Sequence, residues 1–93
     1  MRLRFTFRAL DDLDTISDHV RNRDPAAAKR IRDDLQKALQ ILAAHPHAGR
    51  AYTGGRRRFA LRRFPYLIFY RVDKAADQVV ILAIRHGARQ QER

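Results

Sequence analysis

Hydrophobic and polar positions alternate at the start of the chain and change to a helical period soon afterwards. Leu3 and Phe5 alternate with arginines, which is the period-two pattern of a strand with one buried face. Thr6 can cap a following helix, and apolar residues then recur every three or four positions from Ala9 to Val20. The pattern predicts a short strand at the edge of a sheet, followed directly by an amphipathic helix.

A second amphipathic helix is predicted from Asp24 to about Ala44. Asp24 is a good N-cap residue, and Pro25 suits the first helical position because its missing amide hydrogen is not needed there. An apolar stripe at helical spacing follows and ends before Pro46. Because only a few residues separate the two helices, we expect an antiparallel helix hairpin whose two stripes face one core.

Three strands are predicted after a loop at residues 45–55, over residues 56–62, 66–72 and 79–84. Almost every position of the second strand is apolar or aromatic, as is typical of a central strand that is covered on both faces. Short links favour an antiparallel meander. The order β-α-α-β-β-β therefore predicts a single α+β domain over residues 1–93, with two layers, in which the helix hairpin packs on one face of a mainly antiparallel sheet.

The other face of that sheet has no predicted cover. With so many Val, Ile, Leu and aromatic residues in the strands, this face would expose a larger apolar patch than a soluble monomer usually tolerates. We therefore expect a segment of a partner protein to cover it. The helix stripes, including Leu13, and the strand residues Phe5, Leu67 and Phe69 are candidates either for the core or for the groove that binds this partner.

Positive charge is concentrated in the second half of the chain. The formal net charge is +10; residues 1–45 hold 9 cations and 7 acids (net +2), and residues 46–93 hold 11 cations and 3 acids (net +8). All but three of the cations are arginine, whose planar guanidinium suits phosphate and carboxylate groups. This favours a polyanionic partner, such as nucleic acid, a nucleoprotein machine or an acidic protein. The alternative is that the arginines at residues 56–58 form a solvated strand edge that discourages aggregation.

Several classes of protein are excluded or disfavoured. The absence of cysteine excludes disulfides and cysteine-ligated zinc. The longest apolar run, residues 79–84, is far too short to cross a membrane, and the first residues lack the apolar segment of a signal peptide, so we expect a cytoplasmic protein. His45 and His47 have no third ligand patterned nearby, so we expect neither a metal nor a cofactor.

Catalytic candidates are few. Arg85 and Arg89 would lower the proton affinity of His86, which could then act as an acid or a base, although a structural hydrogen bond at the strand end is the alternative. Tyr66 and Tyr70 are further candidates, with a role as core or rim aromatics as the alternative. Carboxylates are scarce after residue 46. A site that cleaves RNA would therefore depend on His86 and Tyr66, with Arg58 to neutralise the phosphate.

The residues also resemble a known family in their order and spacing. The matching positions are Ala9, Asp12, Leu13, Ile16, Pro25, Ala27, Ala28, Leu42, Pro46, Gly49, Arg57, Pro65, Tyr66, Ile68, Tyr70, Arg71, Val72, Ile81, Leu82, His86, Gly87 and Arg89. Together they are similar to the RelE/ParE superfamily of toxins from type II toxin-antitoxin modules. The resemblance implies a toxin that a cognate antitoxin inactivates by wrapping it in a hetero-oligomer, and it makes Phe5, Leu13, Leu67 and Phe69 the candidate antitoxin contacts.

The resemblance leaves two branches with different targets. RelE-like members are ribosome-dependent mRNA endonucleases, and they often carry a catalytic tyrosine or histidine near the C-terminus. ParE-like members inhibit DNA gyrase. Residues 87–93 contain neither residue type, and the stretch from His86 to Arg89 looks more like a ParE ending. The resemblance therefore favours a non-enzymatic gyrase inhibitor, with the mRNA endonuclease as the alternative. The expected target contacts are Arg58, Arg71, Arg85, His86 and Arg89.

Overall fold

Two helices and a five-stranded sheet make up residues 1–87, the part of the chain that the computed structural model describes. The elements are β1 (Arg2–Phe5), α1 (Phe7–Arg23), α2 (Pro25–Ala44), β2 (Arg50–Ala51), a 3-10 turn (Thr53–Gly55), β3 (Arg56–Ala60), β4 (Tyr66–Asp73) and β5 (Gln78–His86). The strand order is β1-β5-β4-β3-β2. Among the strands of the described residues, only β1 and β5 pair in parallel. The predicted α+β architecture is confirmed, with β4 as the central strand.

The helix boundaries follow from two capping side chains. Thr6 Oγ1 accepts a hydrogen bond from the Ala9 amide at 3.1 Å and begins α1. Asp24 Oδ1 accepts from the amides of Ala26 and Ala27, both at 3.1 Å, and begins α2. The Asp24 amide itself donates to the Val20 carbonyl, which closes α1. One residue thus ends the first helix and starts the second, which fixes the tight hairpin.

The core lies between the helix hairpin and one face of the sheet. The buried residues are Ala9, Ile31, Leu35, Ala38 and Leu42 from the helices, Leu61, and Tyr66, Ile68, Tyr70, Val79, Ile81 and Ile84 from β4 and β5. Leu3 and Phe5 of β1 pack against this cluster. Each strand therefore gives alternate residues to the core and the intervening residues to the opposite face.

The pairing of β4 with β5 is interrupted by a bulge. Phe69 pairs with Ala83, but the next residue, Tyr70, pairs with Ile81, so that Leu82 is the extra residue on β5. An extra residue shifts the alternation by one position. Consequently Val80 and Ala83 lie on the face away from the helices, although they belong to an apolar run that looked buried on both sides.

The loop before β2 is fastened to the sheet by Tyr70. Its hydroxyl donates to the Pro46 carbonyl and accepts from the Gly49 amide, both at 2.8 Å. Arg57 donates to the Gly49 carbonyl at 2.6 Å. A Cβ atom at Gly49 would lie 2.6 Å from the Tyr70 hydroxyl oxygen, so only glycine fits this close approach. These contacts hold β2, which the sequence did not predict, beside β3.

Candidate functional site: an arginine-lined sheet face

The sheet face opposite the helices carries a narrow apolar strip. Leu67 and Phe69 are half-buried, and Val80 and Ala83 are only 2% and 8% exposed. The ring of Tyr52 lies edge-on against Phe69, with 5.7 Å between ring centroids. The expectation of a large exposed apolar patch is therefore wrong. Alternation and the bulge direct most of the large apolar residues to the helix side, and the chain's own side chains cover much of the remainder.

Arginines border the strip on the β1 side and at one end. In register across the sheet, Arg4 of β1 and Arg71 of β4 flank Val80. Arg56 of β3 lies directly opposite Arg71. The aliphatic parts of such side chains can cover a valine while their guanidinium groups stay in water.

Arginines also border the strip towards β2 and at the other end. Arg58 lies opposite Phe69, and Arg50 of β2 lies opposite Arg58. Arg85 of β5 lies opposite Leu67. We call this surface the arginine face; its arginines are Arg2, Arg4, Arg50, Arg56, Arg58, Arg71 and Arg85. All of them are exposed except Arg85, which is half-buried.

Little negative charge balances this face. Asp73 is the one acidic residue within the five strands, all of which lie in the described part of the chain. It approaches Arg71 at 4.0 Å, in a pair exposed enough for water to screen it. Like charges directly opposite each other on neighbouring strands are destabilising. The pairs Arg56–Arg71 and Arg50–Arg58 therefore cost stability, which indicates a surface suited to binding an anionic partner.

The predicted target contacts are divided by the structure. Arg58, Arg71 and Arg85 lie on the arginine face by their register, and Arg85 also borders the cleft described next. His86 pairs with Tyr66 in register, and the two rings meet edge-on at 5.6 Å on the helix side of the sheet. Arg89 lies outside the described residues.

His86 lines a cleft between α1 and β5 with a volume of about 430 Å³. The other lining residues are Arg8, Asp12, Thr15, Ile16, His19, Tyr66, Ile84 and Arg85. Asp12 Oδ2 accepts from the Ile84 amide at 2.9 Å and lies 3.9 Å from Arg8 Nε. The structure thus brings His86 and Tyr66 together but places Arg58 on the opposite face. The three candidate catalytic residues do not form one site.

The candidate antitoxin contacts also fall on two sides of the molecule. Phe5 packs against the core, and Leu67 and Phe69 lie on the arginine face. Leu13 lines an apolar groove of about 340 Å³ between the helices, which we call the helix groove; it is lined by Leu13, Asp14, Ile16, Ser17, Val20, Ala28, Ile31, Arg32, Leu35, Gln36 and Leu39. The sequence did not reveal this groove. An apolar helix stripe that is partly open to solvent shows the same spacing of three and four residues as a stripe that is fully buried.

Neither a metal-binding cluster nor a membrane-spanning helix occurs in residues 1–87. No cluster of three or more histidine, aspartate or glutamate side chains in this range could hold a metal ion. None of the helices in the same range combines the length and the apolar character needed to cross a membrane.

Known proteins with similar sequences and folds are toxins or toxin-antitoxin complexes. The sequence profile described as the ParE toxin of the type II toxin-antitoxin system parDE matches residues 3–91. The chain is 36% identical over 90 residues to the putative toxin Y4kP of Sinorhizobium fredii. This alignment covers 96% of this chain and 91% of the relative. It is 41% identical over 86 residues to the toxin RelE2 of Caulobacter vibrioides, covering 91% and 93% of the two chains.

Solved structures with a similar fold are also those of toxin-antitoxin systems. The chromosomal ParDE toxin-antitoxin system of P. aeruginosa matches with a TM-score of 0.78 and 31% identity, over 92% of this chain and 95% of that chain. The E. coli RelBE complex matches with a TM-score of 0.65 and 21% identity, over 89% and 92% of the two chains, which supports the fold alone. The chain belongs to the ParE toxin family of type II toxin-antitoxin systems.

Proposed function

We propose that this toxin inhibits DNA gyrase in the cytoplasm through its arginine face, without catalysing a reaction itself. The observation that carries the proposal is the separation of binding groups from proton-transfer groups. Arg58 and Arg71 share one face, whereas His86 and Tyr66 lie on the other side of the sheet. Arg85 belongs to the arginine face by its register and also borders the His86 cleft. Within the strands of residues 1–87, the arginine face supplies many cations and one carboxylate, Asp73, which lies 4.0 Å from Arg71, so its character is that of a binding surface. The match to the ParE profile favours the same branch.

Neutralisation is proposed to come from direct binding of a cognate antitoxin. The similar structures from P. aeruginosa and E. coli are toxin-antitoxin systems. In this chain, the helix groove offers apolar surface for the anchoring part of such a partner, with Leu13 in its wall. An acidic segment of the partner would then compete with the target for the arginine face.

A supercoiling assay with purified gyrase tests the proposed target. We expect the toxin to abolish supercoiling at stoichiometric amounts and a pre-bound cognate antitoxin to restore it. The variant Arg58→Gln/Arg71→Gln should inhibit at least about tenfold less, because each charge-assisted contact contributes more than about 1 kcal/mol. Full supercoiling in a stoichiometric excess of folded toxin would contradict the proposal.

Cleavage of mRNA on the ribosome is the second candidate. The contact between His86 and Tyr66 favours it, because a histidine and a tyrosine at one cleft could exchange protons with a substrate. One relative also carries the name RelE2. A translation reaction containing ribosomes and a defined message separates the candidates. Message that stays intact removes the endonuclease, and cleavage that His86→Ala abolishes would establish it.

A further inference from the structure

We propose that the arginine face binds duplex DNA directly, through the phosphate backbone and without reading the base sequence. This inference rests on the proposed function, because it identifies the DNA held by gyrase as the component that this face contacts. It goes further in one respect: the toxin should bind DNA in the absence of gyrase.

Charge is the first argument for DNA. Arg56 faces Arg71, and Arg50 faces Arg58, and the one acidic residue of the strands, Asp73, lies 4.0 Å from Arg71. Self-repulsion of this kind is relieved when a polyanion binds and its counterions are released. Guanidinium groups also fit phosphate oxygens in a bidentate geometry that lysine does not provide.

The layout of the charges is the second argument. On one face of a strand, successive side chains are about 6.7 Å apart, and neighbouring strands are about 4.8 Å apart. The arginine face extends over all five strands, from Arg4 on β1 to Arg50 on β2, so its positive charge covers a broad surface instead of a single row. Duplex DNA presents one negative charge per about 1.7 Å of its axis on a similarly broad surface. A single acidic helix or strand of a protein partner would contact only part of the arginine face.

The composition of the face favours a duplex over a single strand and favours sequence-independent contacts. Proteins that hold unpaired bases stack successive bases on several open aromatic rings, whereas this face offers one exposed ring within residues 1–87, that of Tyr52, and the Phe69 ring that it meets edge-on is half-buried. Asparagine and glutamine are the residues that read adenine in the major groove, and Gln78 is the one such residue within the five strands. Arginine can read guanine in the same groove, but a groove about 12 Å wide admits a helix or a two-stranded ribbon, and five strands at about 4.8 Å spacing form a surface about 19 Å across. Phosphate contacts are therefore what remains for the arginines.

The experiment measures anisotropy of fluorescent 25-base-pair duplexes of two unrelated sequences, titrated with the full chain at several salt concentrations. We expect equal affinity for the two sequences and an affinity that falls steeply with salt. In Arg58→Gln/Arg71→Gln, the slope of log K against log salt should decrease by about 1.8, or about 0.9 for each lost phosphate contact. The matched control is Arg30→Gln/Lys37→Gln on α2, which removes the same charge from exposed positions away from the face and should keep the slope.

The outcomes separate this inference from the proposed function. Equal loss of slope in the two double variants would mean that net charge alone governs binding, and would overturn the inference. Tighter binding to single-stranded RNA than to duplex DNA at the same salt, or binding to a gyrase subunit but not to DNA, would overturn it as well. Inhibition of gyrase without DNA binding would leave the proposed function standing. DNA binding with undisturbed supercoiling would uphold the DNA site while the gyrase proposal fails.

Discussion

Tyr70 shows how one side chain serves the core and the loop that carries β2. Its ring is fully buried, and its hydroxyl is bonded to Pro46 and Gly49. Burial raises the pKa of the Tyr70 hydroxyl above its ordinary value of 10.0, and the Gly49 hydrogen bond and the Arg57 charge offset only part of this effect. The sequence predicted an aromatic core or rim residue here. The hydrogen bonds could not be predicted, because they join residues more than twenty positions apart.

Replacing Tyr70 with Phe should destabilise the fold by about 1–3 kcal/mol at neutral pH, because the Gly49 amide and the Pro46 carbonyl lose their partner. Urea unfolding followed by circular dichroism measures this change. The folded state holds the hydroxyl proton above pH 10, where the unfolded state releases it, so stability from this group is complete below pH 10 and is lost as pH rises towards the folded pKa. The stability difference between wild type and Tyr70→Phe should therefore shrink above pH 10. A constant difference from pH 8 to pH 11 would contradict the pKa shift.

Arg2 and Arg4 show why part of the arginine face could not be predicted at this scale. The sequence predicts Arg58, Arg71 and Arg85 as target contacts because strand ends project from a rigid sheet. The two N-terminal arginines join them only because β1 pairs with β5, more than seventy residues later in the chain. Local alternation shows which residues share a face of one strand, but it does not show which strands are neighbours.

At the scale of elements, the local signals predicted the helices well and the strands less well. Thr6, Asp24 and Pro25 act through neighbours in sequence, so both helices begin where predicted. Strand β2 has only two residues and no alternation to detect, and β3 ends at Ala60, before the predicted residue 62. The bulge at Leu82 could not be detected in a run of consecutive apolar residues, where every register looks equally buried. That ambiguity produced the wrong expectation of a large apolar patch.

The shared cap at Asp24 leads to a prediction about the hairpin. Asp24→Ala removes the acceptor for two α2 amides and should lower the free energy of unfolding by about 0.5–2 kcal/mol. Asp24→Asn, which keeps an acceptor oxygen, should lose much less. Thermal unfolding of the three proteins provides the comparison. Equal destabilisation by Ala and Asn would show that the carboxylate charge, and not the cap, is what matters.

At the scale of the whole molecule, the two proposed binding surfaces lie on different sides. The helix groove opens between the helices, and the arginine face lies beyond the sheet. The molecule measures 41 × 28 × 24 Å. Because an extended chain spans at most about 3.3–3.6 Å per residue, a partner segment of roughly twelve residues is needed to run along the longest dimension. An antitoxin that occupies both surfaces must therefore be elongated.

A matched pair of leucines on α1 tests whether the helix groove binds the antitoxin. Leu13 lines the groove, whereas Leu10 on the same helix is 46% exposed and does not line it. We expect Leu13→Ala to weaken antitoxin binding at least about tenfold, equivalent to about 1.4 kcal/mol, and Leu10→Ala to leave it unchanged. Calorimetric titration with the cognate antitoxin measures both, with thermal unfolding to confirm that the variants are folded. Equal affinities for the two variants would place the antitoxin elsewhere.

The parallel pairing of β1 with β5 has a consequence for biosynthesis. Strand β5 lies between β1 and β4, and it is the last of the five strands to leave the ribosome. Until Gln78 and the residues after it emerge, β1 has no neighbour to join, and Arg2 and Arg4 have no fixed place beside the other arginines. A growing chain therefore cannot assemble the complete basic surface until residues 78–86 have been translated. On the proposed function, a nascent polypeptide that lacks β5 should not yet inhibit gyrase.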